Sequence, residues 1–278
     1  MWNTSGAADT SRRPCPTLVI HPDVECLALA VATLFVEEAR RAVKARGRFC
    51  VALAGGSTPV RAYELLAKPP FADHVPWTHV HVFWGDERCV DPSDPRSNER
   101  MARESLLDHV PIPEAHVHPI YFPMSLTGAS TASAAACGEM EALKAALDYE
   151  RLLTSFLPSE GSAPSRFAED EPGPTAGGLD LVLLGLGNDG HTASLFPRSD
   201  ALHVKERKAV ATFVTKRAGA GTTAADEDLW RVTLTAPFIN RAAAVVFVAG
   251  GTGKASIVAE VLGGPFEPDR LPAQLIRP

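Results

Sequence analysis

Apolar residues in this chain fall into two patterns that alternate along its length. Leu27, Ala30, Val31, Leu34 and Phe35 recur at helical spacing behind Asp23, a residue suited to an N-cap, and Gly47 closes the run. Residues 24–46 are therefore predicted to form a helix. Phe49–Ala54 is a short continuous apolar run that predicts a buried strand, followed by Gly55-Gly56-Ser57-Thr58-Pro59 and a helix through Leu66. His79–Trp84 predicts another strand. Gly85-Asp86-Glu87-Arg88 reads as a polar loop after it, with a helix over about 97–110. Residues 131–157 read as helical, with Met140, Leu143 and Leu147 on one stripe, and the Pro, Gly, Ser and acidic residues of 158–178 read as a surface loop. Leu179–Leu184, Lys208–Val214, Arg231–Thr235 and Ala243–Ala249 complete the strands. Residues 216–228 are loop-like, and a last helix runs to Leu262 ahead of a Pro-rich tail.

Strands that are continuously apolar, and that alternate with helices, predict an α/β fold: a mostly parallel central sheet with helices on both faces, Rossmann-like. Residues 18–278 read as one domain behind a loose 1–17 leader, with no repeat and no linker. In such sheets ligands bind beyond the carboxyl ends of the strands. The loops 55–59, 85–88, 185–191 and 250–254 are thus expected to converge on one crevice.

Composition narrows the function classes. The chain has 278 residues, 45% apolar and 22% charged, which fits a globular protein rather than a disordered one. A net charge of −6 argues against a nucleic-acid partner, though two or three focused cations would still hold a small anion. Five cysteines without a Cys-x-x-Cys pair predict no disulfide framework and a reducing compartment. The longest apolar runs, such as Ala242–Ala249, fall well short of the ~18 residues of a membrane span, and the first fifteen residues hold no apolar signal core. The expectation is a cytoplasmic protein with no membrane contact, a monomer or weak homo-oligomer.

The Gly-rich loops carry the candidate chemistry. Gly55 and Gly56 permit a tight turn, Ser57 or Thr58 would cap the next helix, and free N–H groups there favour an anion. Pro59 stands where a nucleophile elbow needs Gly, so Ser57 is a poor nucleophile. Gly185, Gly187 and Gly190 spell Gly-x-Gly-x-x-Gly, a dinucleotide motif, but the next strand ends in Val214-Thr215-Lys216 without the acid that a ribose requires. Residues 250–254 fail as a P-loop, with Val248 in place of the first Gly and Ala255 in place of the magnesium-binding hydroxyl. Asp189-Gly190-His191 is the most reactive triplet, because histidine titrates near neutrality and a carboxylate can orient it. Arg88 could hold an oxyanion, and Lys254 a phosphate. His79, His81, His116 and His118 complete no recognisable ligand set and read as structural or surface residues.

Taken together, Ala54–Pro59, Trp84–Val90 with Ser97-Asn98, Leu184–Pro197, Arg231–Thr235 with Pro237 and Ile239-Asn240, and Gly250–Lys254 resemble the 6-phosphogluconolactonase family, in the sugar-phosphate group that includes glucosamine-6-phosphate deaminase. The likeness spans about residues 20–262. Phe196 stands where the deaminases carry Glu, and Arg88 where they usually carry Tyr, and both differences favour the lactonase. The resemblance implies hydrolysis of 6-phospho-D-glucono-1,5-lactone without a covalent intermediate, with no metal and no organic cofactor. It implies His191 as the base that activates water, Asp189 as its partner and Arg88 on the oxyanion. It also implies Asp86 on sugar hydroxyls or Arg88, with Gly55, Gly56, Ser57, Thr58, Asn188 and Lys254 around the phosphorylated substrate. The 216–230 stretch departs from the family's Pro-rich pattern, and Lys216 or Arg217 is a candidate second phosphate cation. Two rivals stand beside this reading: a dinucleotide-dependent oxidoreductase, and a sugar-phosphate sensor without turnover.

Overall fold

Asp23 accepts a hydrogen bond from the Cys26 N–H at 2.7 Å and Gly47 adopts φ 72°, so the first helix starts and stops where its cap residues dictate. In the computed structural model, which describes residues 16–123, 137–157, 177–216 and 227–277, that helix is α1 (Val24–Arg46). There follow β1 (Phe49–Leu53), α2 (Ser57–Leu66), α3 (Phe71–His74), β2 (Val80–Trp84), β3 (Asp86–Arg88) and α4 (Asn98–Ser105). The chain continues through α5 (Glu139–Phe156), β4 (Leu181–Leu184), β5 (Ala209–Lys216), β6 (Glu227–Leu234), α6 (Ala236–Ile239), β7 (Ala244–Phe247) and α7 (Ala255–Gly263). Most of the 1–17 leader and the 158–178 loop, with residues 131–136 of the expected helix, lie outside the described residues.

The central sheet has the order β2-β1-β4-β7, and every neighbouring pair is parallel. Its inner strands are apolar because both faces are covered: every residue of β1 and β4 is buried. The β7 run, equally apolar, is only half-buried, with Phe247 exposed, because it pairs with β4 alone and forms an edge. A second, three-stranded antiparallel sheet has the order β3-β6-β5. This corrects two expectations. The 208–214 and 231–235 strands belong to this sheet and not to the parallel one, and Asp86–Arg88 is a strand where a loop was expected. Three polar residues carry no pattern of their own; pairing with β6 makes them a strand.

Two buried tyrosines fix the chain where β1 and β2 leave the sheet. The Tyr63 hydroxyl accepts from the Ala54 N–H and donates to the Ala54 carbonyl, both at 3.0 Å. The Tyr149 hydroxyl does the same to Trp84, at 2.9 and 3.0 Å. Backbone groups that the ladder no longer serves are thereby satisfied, and the loops that follow start from fixed points. Tyr149 lies on the inner face of α5 with Ala142, Ala145, Ala146 and Leu153. The Met140, Leu143 and Leu147 stripe faces solvent instead, because the small alanines let the helix approach closely.

Cys89 and Cys137 lie side by side, although the sequence predicts no disulfide framework. The end of β3 meets the start of α5 there, with Cα atoms 5.5 Å apart, inside the range a disulfide spans. Cys26 and Cys50 are unpaired. The imidazoles of His81, His116 and His118 gather with Phe83 and Phe156 beside β2, and His81 Nδ1 lies 3.2 Å from His118 Nε2. Burial and the neighbouring imidazoles pull His81 down to about 3, and burial with His116 pulls His118 down to about 4. Among the described residues there is no group of three metal-type side chains placed to hold an ion, and no helix long and apolar enough to cross a membrane.

Candidate active site

The turn after β4 is built around its own backbone. Gly187 N–H donates to the His191 carbonyl at 2.8 Å, Gly190 N–H to the Gly187 carbonyl at 3.1 Å, and the Thr192 hydroxyl to the Gly185 carbonyl at 2.8 Å. This coil brings the His191 side chain back onto Asp189, with Nδ1 to Oδ1 at 2.5 Å. Burial acts to raise the Asp189 pKa, but the hydrogen bond and charge of His191 outweigh it, so the carboxyl stays below its ordinary value. A Cβ on Gly187 would lie 2.0 Å from His191 Nδ1 and 2.5 Å from Asp189 Oδ1, so only glycine leaves room for the pair. No helix follows this turn; the chain passes through short turns into Asp200–His203. A dinucleotide motif needs a helix N-terminus at that point, so the oxidoreductase reading loses its structural basis.

The residues after His191 seat it on the second sheet. Asp86 and Arg88 alternate on one face of β3, directly opposite Thr233 and Arg231 of β6. Ser194 donates its hydroxyl to Asp86 Oδ2 at 2.5 Å, and its N–H to Thr233 Oγ1 at 3.2 Å. Phe196 lies against the Arg231 guanidinium, 5.5 Å from ring centroid to Cζ, and stacks on His191 with centroids 4.2 Å apart. The turn carrying His191 thus rests on the face that presents Asp86, Arg88 and Arg231. Asp86 is buried, within 4.0 Å of Arg231 and 3.4 Å of Asn98 Nδ2. Arg88 extends from the sheet, and its Nη1 donates to the Arg96 carbonyl at 2.5 Å.

Glu87 faces the other way. Its buried carboxylate accepts from the N–H groups of Arg88, Asn98 and Glu99 and from the Ser97 hydroxyl, at 2.7–3.0 Å. It therefore holds the start of α4 against β3, and burial pushes its carboxyl up to about 7. Asn98 packs so tightly on Gly55 that a Cβ there would fall 1.9 Å from Asn98 Oδ1.

The remaining Gly-rich loops meet nearby. Gly56 and Gly251 both adopt φ 94°, each just before a helical turn. Gly56 itself is the N-cap of α2; Ser57 and Thr58 are its first helical residues and provide no side-chain cap, contrary to expectation. The first-turn N–H groups of this ten-residue helix are therefore available to an anion. Thr58 and Gly250 adjoin, with the Thr58 Cγ2 3.1 Å from a Cβ built on Gly250. Lys254 donates to the Leu186 carbonyl at 2.6 Å, which links this loop to the turn bearing His191. Asn188 and Asp189 line a cleft of about 400 Å³ with Pro197, Arg198, Ile257 and Leu271. The Lys216 side chain and Arg217 lie outside the described residues.

Sequence reasoning passed over Ser194, Phe196, Glu87 and Arg231 as working side chains. Arg231 had a signal: it and Thr233 alternate with Val232 and Leu234, the mark of a strand with one polar face.

Residues 22–278 match the family described as glucosamine-6-phosphate isomerases/6-phosphogluconolactonase. A 6-phosphogluconolactonase of Nostoc sp. is 37% identical over 262 residues, covering 94% of this chain and 91% of the relative. One from Mycobacterium tuberculosis is 34% identical over 257 residues, covering 92% and 90%. The solved 6-phosphogluconolactonase of Trypanosoma brucei is similar with a TM-score of 0.74 at 30% identity, over 94% of this chain and 92% of that one. A monomeric glucosamine-6-phosphate deaminase, 17% identical with a TM-score of 0.66, shares the fold over 91% of this chain and 89% of its own.

Proposed function

The chain belongs to the family of glucosamine-6-phosphate isomerases and 6-phosphogluconolactonases, and from that premise we propose that it hydrolyses 6-phospho-D-glucono-1,5-lactone to 6-phospho-D-gluconate, the lactone step of the oxidative pentose phosphate pathway. One observation carries the reading: the His191–Asp189 pair rides on a turn seated over the face that presents Arg88.

The chemistry follows from that arrangement. Nδ1 of His191 is committed to Asp189, so Nε2 is the nitrogen that takes a proton from water as the water attacks lactone C1. Asp189 stabilises the imidazolium that forms. Arg88 stabilises the tetrahedral oxyanion. Collapse breaks the bond from C1 to the ring oxygen, and His191 returns its proton to that oxygen. A lactone is an activated ester whose leaving group stays tethered, so one base and one cation suffice, with the base contributing roughly 10²–10⁴-fold. Asp86 braces the turn through Ser194. The 6-phosphate sits against the Gly55-Gly56 turn, the first N–H groups of α2 at Ser57 and Thr58, and Lys254, while Asn188 contacts the sugar.

The test is turnover of freshly made 6-phosphogluconolactone, corrected for spontaneous opening, by the wild-type protein and His191→Ala. Turnover that the variant loses is expected. Near-normal turnover in His191→Ala removes the base, and phosphosugar binding without any turnover in the wild type makes the chain a sensor.

A further inference from the structure

We propose that Phe196 and Arg231 are positioning residues for His191, an inference that rests on His191 being the base. A hydrogen bond from Nδ1 to Asp189 fixes one edge of the imidazole but leaves the ring free to tilt about that contact. The tilt decides where the opposite nitrogen points, and so whether a water held at C1 lies along its lone pair. Phe196 removes that freedom. Its ring stacks on the imidazole with an interplanar angle of 18° and centroids 4.2 Å apart.

Phe196 is itself held. The Arg231 guanidinium lies 5.5 Å from its ring centroid, in cation–π range, on a side chain only 5% exposed. Arg231 Nη1 lies 4.0 Å from Asp86 Oδ2, and the same oxygen accepts from the Ser194 hydroxyl. A closed circuit results: Arg231 to Phe196, back along the chain to Ser194, across to Asp86, and home to Arg231. One cation and one carboxylate on the second sheet thereby clamp two of the residues that follow His191. The lateral contact sets the plane of the imidazole, while Asp189 sets its rotation within that plane.

The experiment compares Phe196→Leu, Phe196→Tyr, Arg231→Met and His191→Ala in the full-length protein. Phe196→Leu and Arg231→Met are expected to lower kcat about tenfold with KM for the lactone within about twofold, the signature of a misaimed group. Phe196→Tyr, which keeps the ring, restores kcat. In proton NMR the His191 ring signals, assigned by their loss in His191→Ala, move downfield in Phe196→Leu as the aromatic shielding disappears. Wild-type kcat in Phe196→Leu overturns the proposal, as do unmoved His191 signals or a failure of Phe196→Tyr to rescue. If Arg231→Met does not fold, the half-buried Phe196 still decides the matter. An active His191→Ala sinks the underlying base assignment, whereas an inactive His191→Ala beside a fully active Phe196→Leu sinks only the positioning role.

Discussion

Gly187→Ala tests the site most directly, because the three atoms nearest the added methyl all belong to the reacting pair. Its Cβ would stand 2.0 Å from His191 Nδ1, 2.3 Å from Cε1 and 2.5 Å from Asp189 Oδ1, where ordinary contacts begin at 3.4 Å. The imidazole must retreat by about 1.4 Å, the difference between the first and last of those distances, and its bond to Asp189 breaks. Displacements near 1 Å cost about 10²-fold in rate, or about 2.7 kcal/mol of barrier. Stability should change far less. Asp189 is half exposed and His191 a quarter exposed, so both can swing toward water, and the cost falls at or below the low end of the ~1–3 kcal/mol seen for overpacked cores. Gly185→Ala is the matched control, since a Cβ there meets nothing within 4 Å. The assay follows hydrolysis of fresh lactone with the spontaneous rate subtracted, alongside a thermal melt. A Gly187→Ala enzyme whose kcat stays within about threefold of wild type would refute the reasoning, as would an equal loss in Gly185→Ala.

Three further outcomes are expected. Lys254→Ala should raise KM for the phosphorylated lactone about 10–100-fold, the equivalent of a charged hydrogen bond worth roughly 1.5–3 kcal/mol, and leave an unphosphorylated lactone unaffected; an equal effect on both removes the phosphate contact. Because His81 and His118 titrate far below the ordinary 6.5, the unfolded chain takes up protons that the folded one refuses between about pH 6.5 and 4. Stability should therefore fall as pH drops through that window, and His118→Phe should flatten the fall in melting temperature between pH 7.5 and 5; an unchanged slope would contradict this. Peptide mapping of protein prepared without reductant should find Cys89 and Cys137 in one cross-linked pair, and recovery of both as alkylated thiols would count against the pairing.

Much of the parallel sheet could be read from the letters, since its strands are apolar throughout and its helices carry their own punctuation. Asp23 and Gly47 mark α1 to the residue. The second sheet was hidden for a physical reason. Asp86–Arg88 has no periodicity, and its strand character is conferred by β6, nearly 150 residues away in the chain. The face of α5 was misleading for a related reason: Met140, Leu143 and Leu147 point outward, while three alanines with Tyr149 and Leu153 make the contact. The reactive triplet and the glycine turns were legible because reaction and close approach demand particular residue types. The support beneath them was not, since Ser194, Phe196 and Arg231 matter only through neighbours that folding supplies.

The parallel strands deliver their carboxyl ends, and with them the chemistry, to one side of the protein. β4 enters the sheet from the opposite end, where Asp180 grips Arg46 and accepts from the Cys50 N–H. Chain added just ahead of a strand, at that end, is therefore remote from the carboxyl-end chemistry. Each doubling of such a loop adds only about 0.6 kcal/mol of closure entropy, so an engineer seeking a site for a fused reporter would begin there.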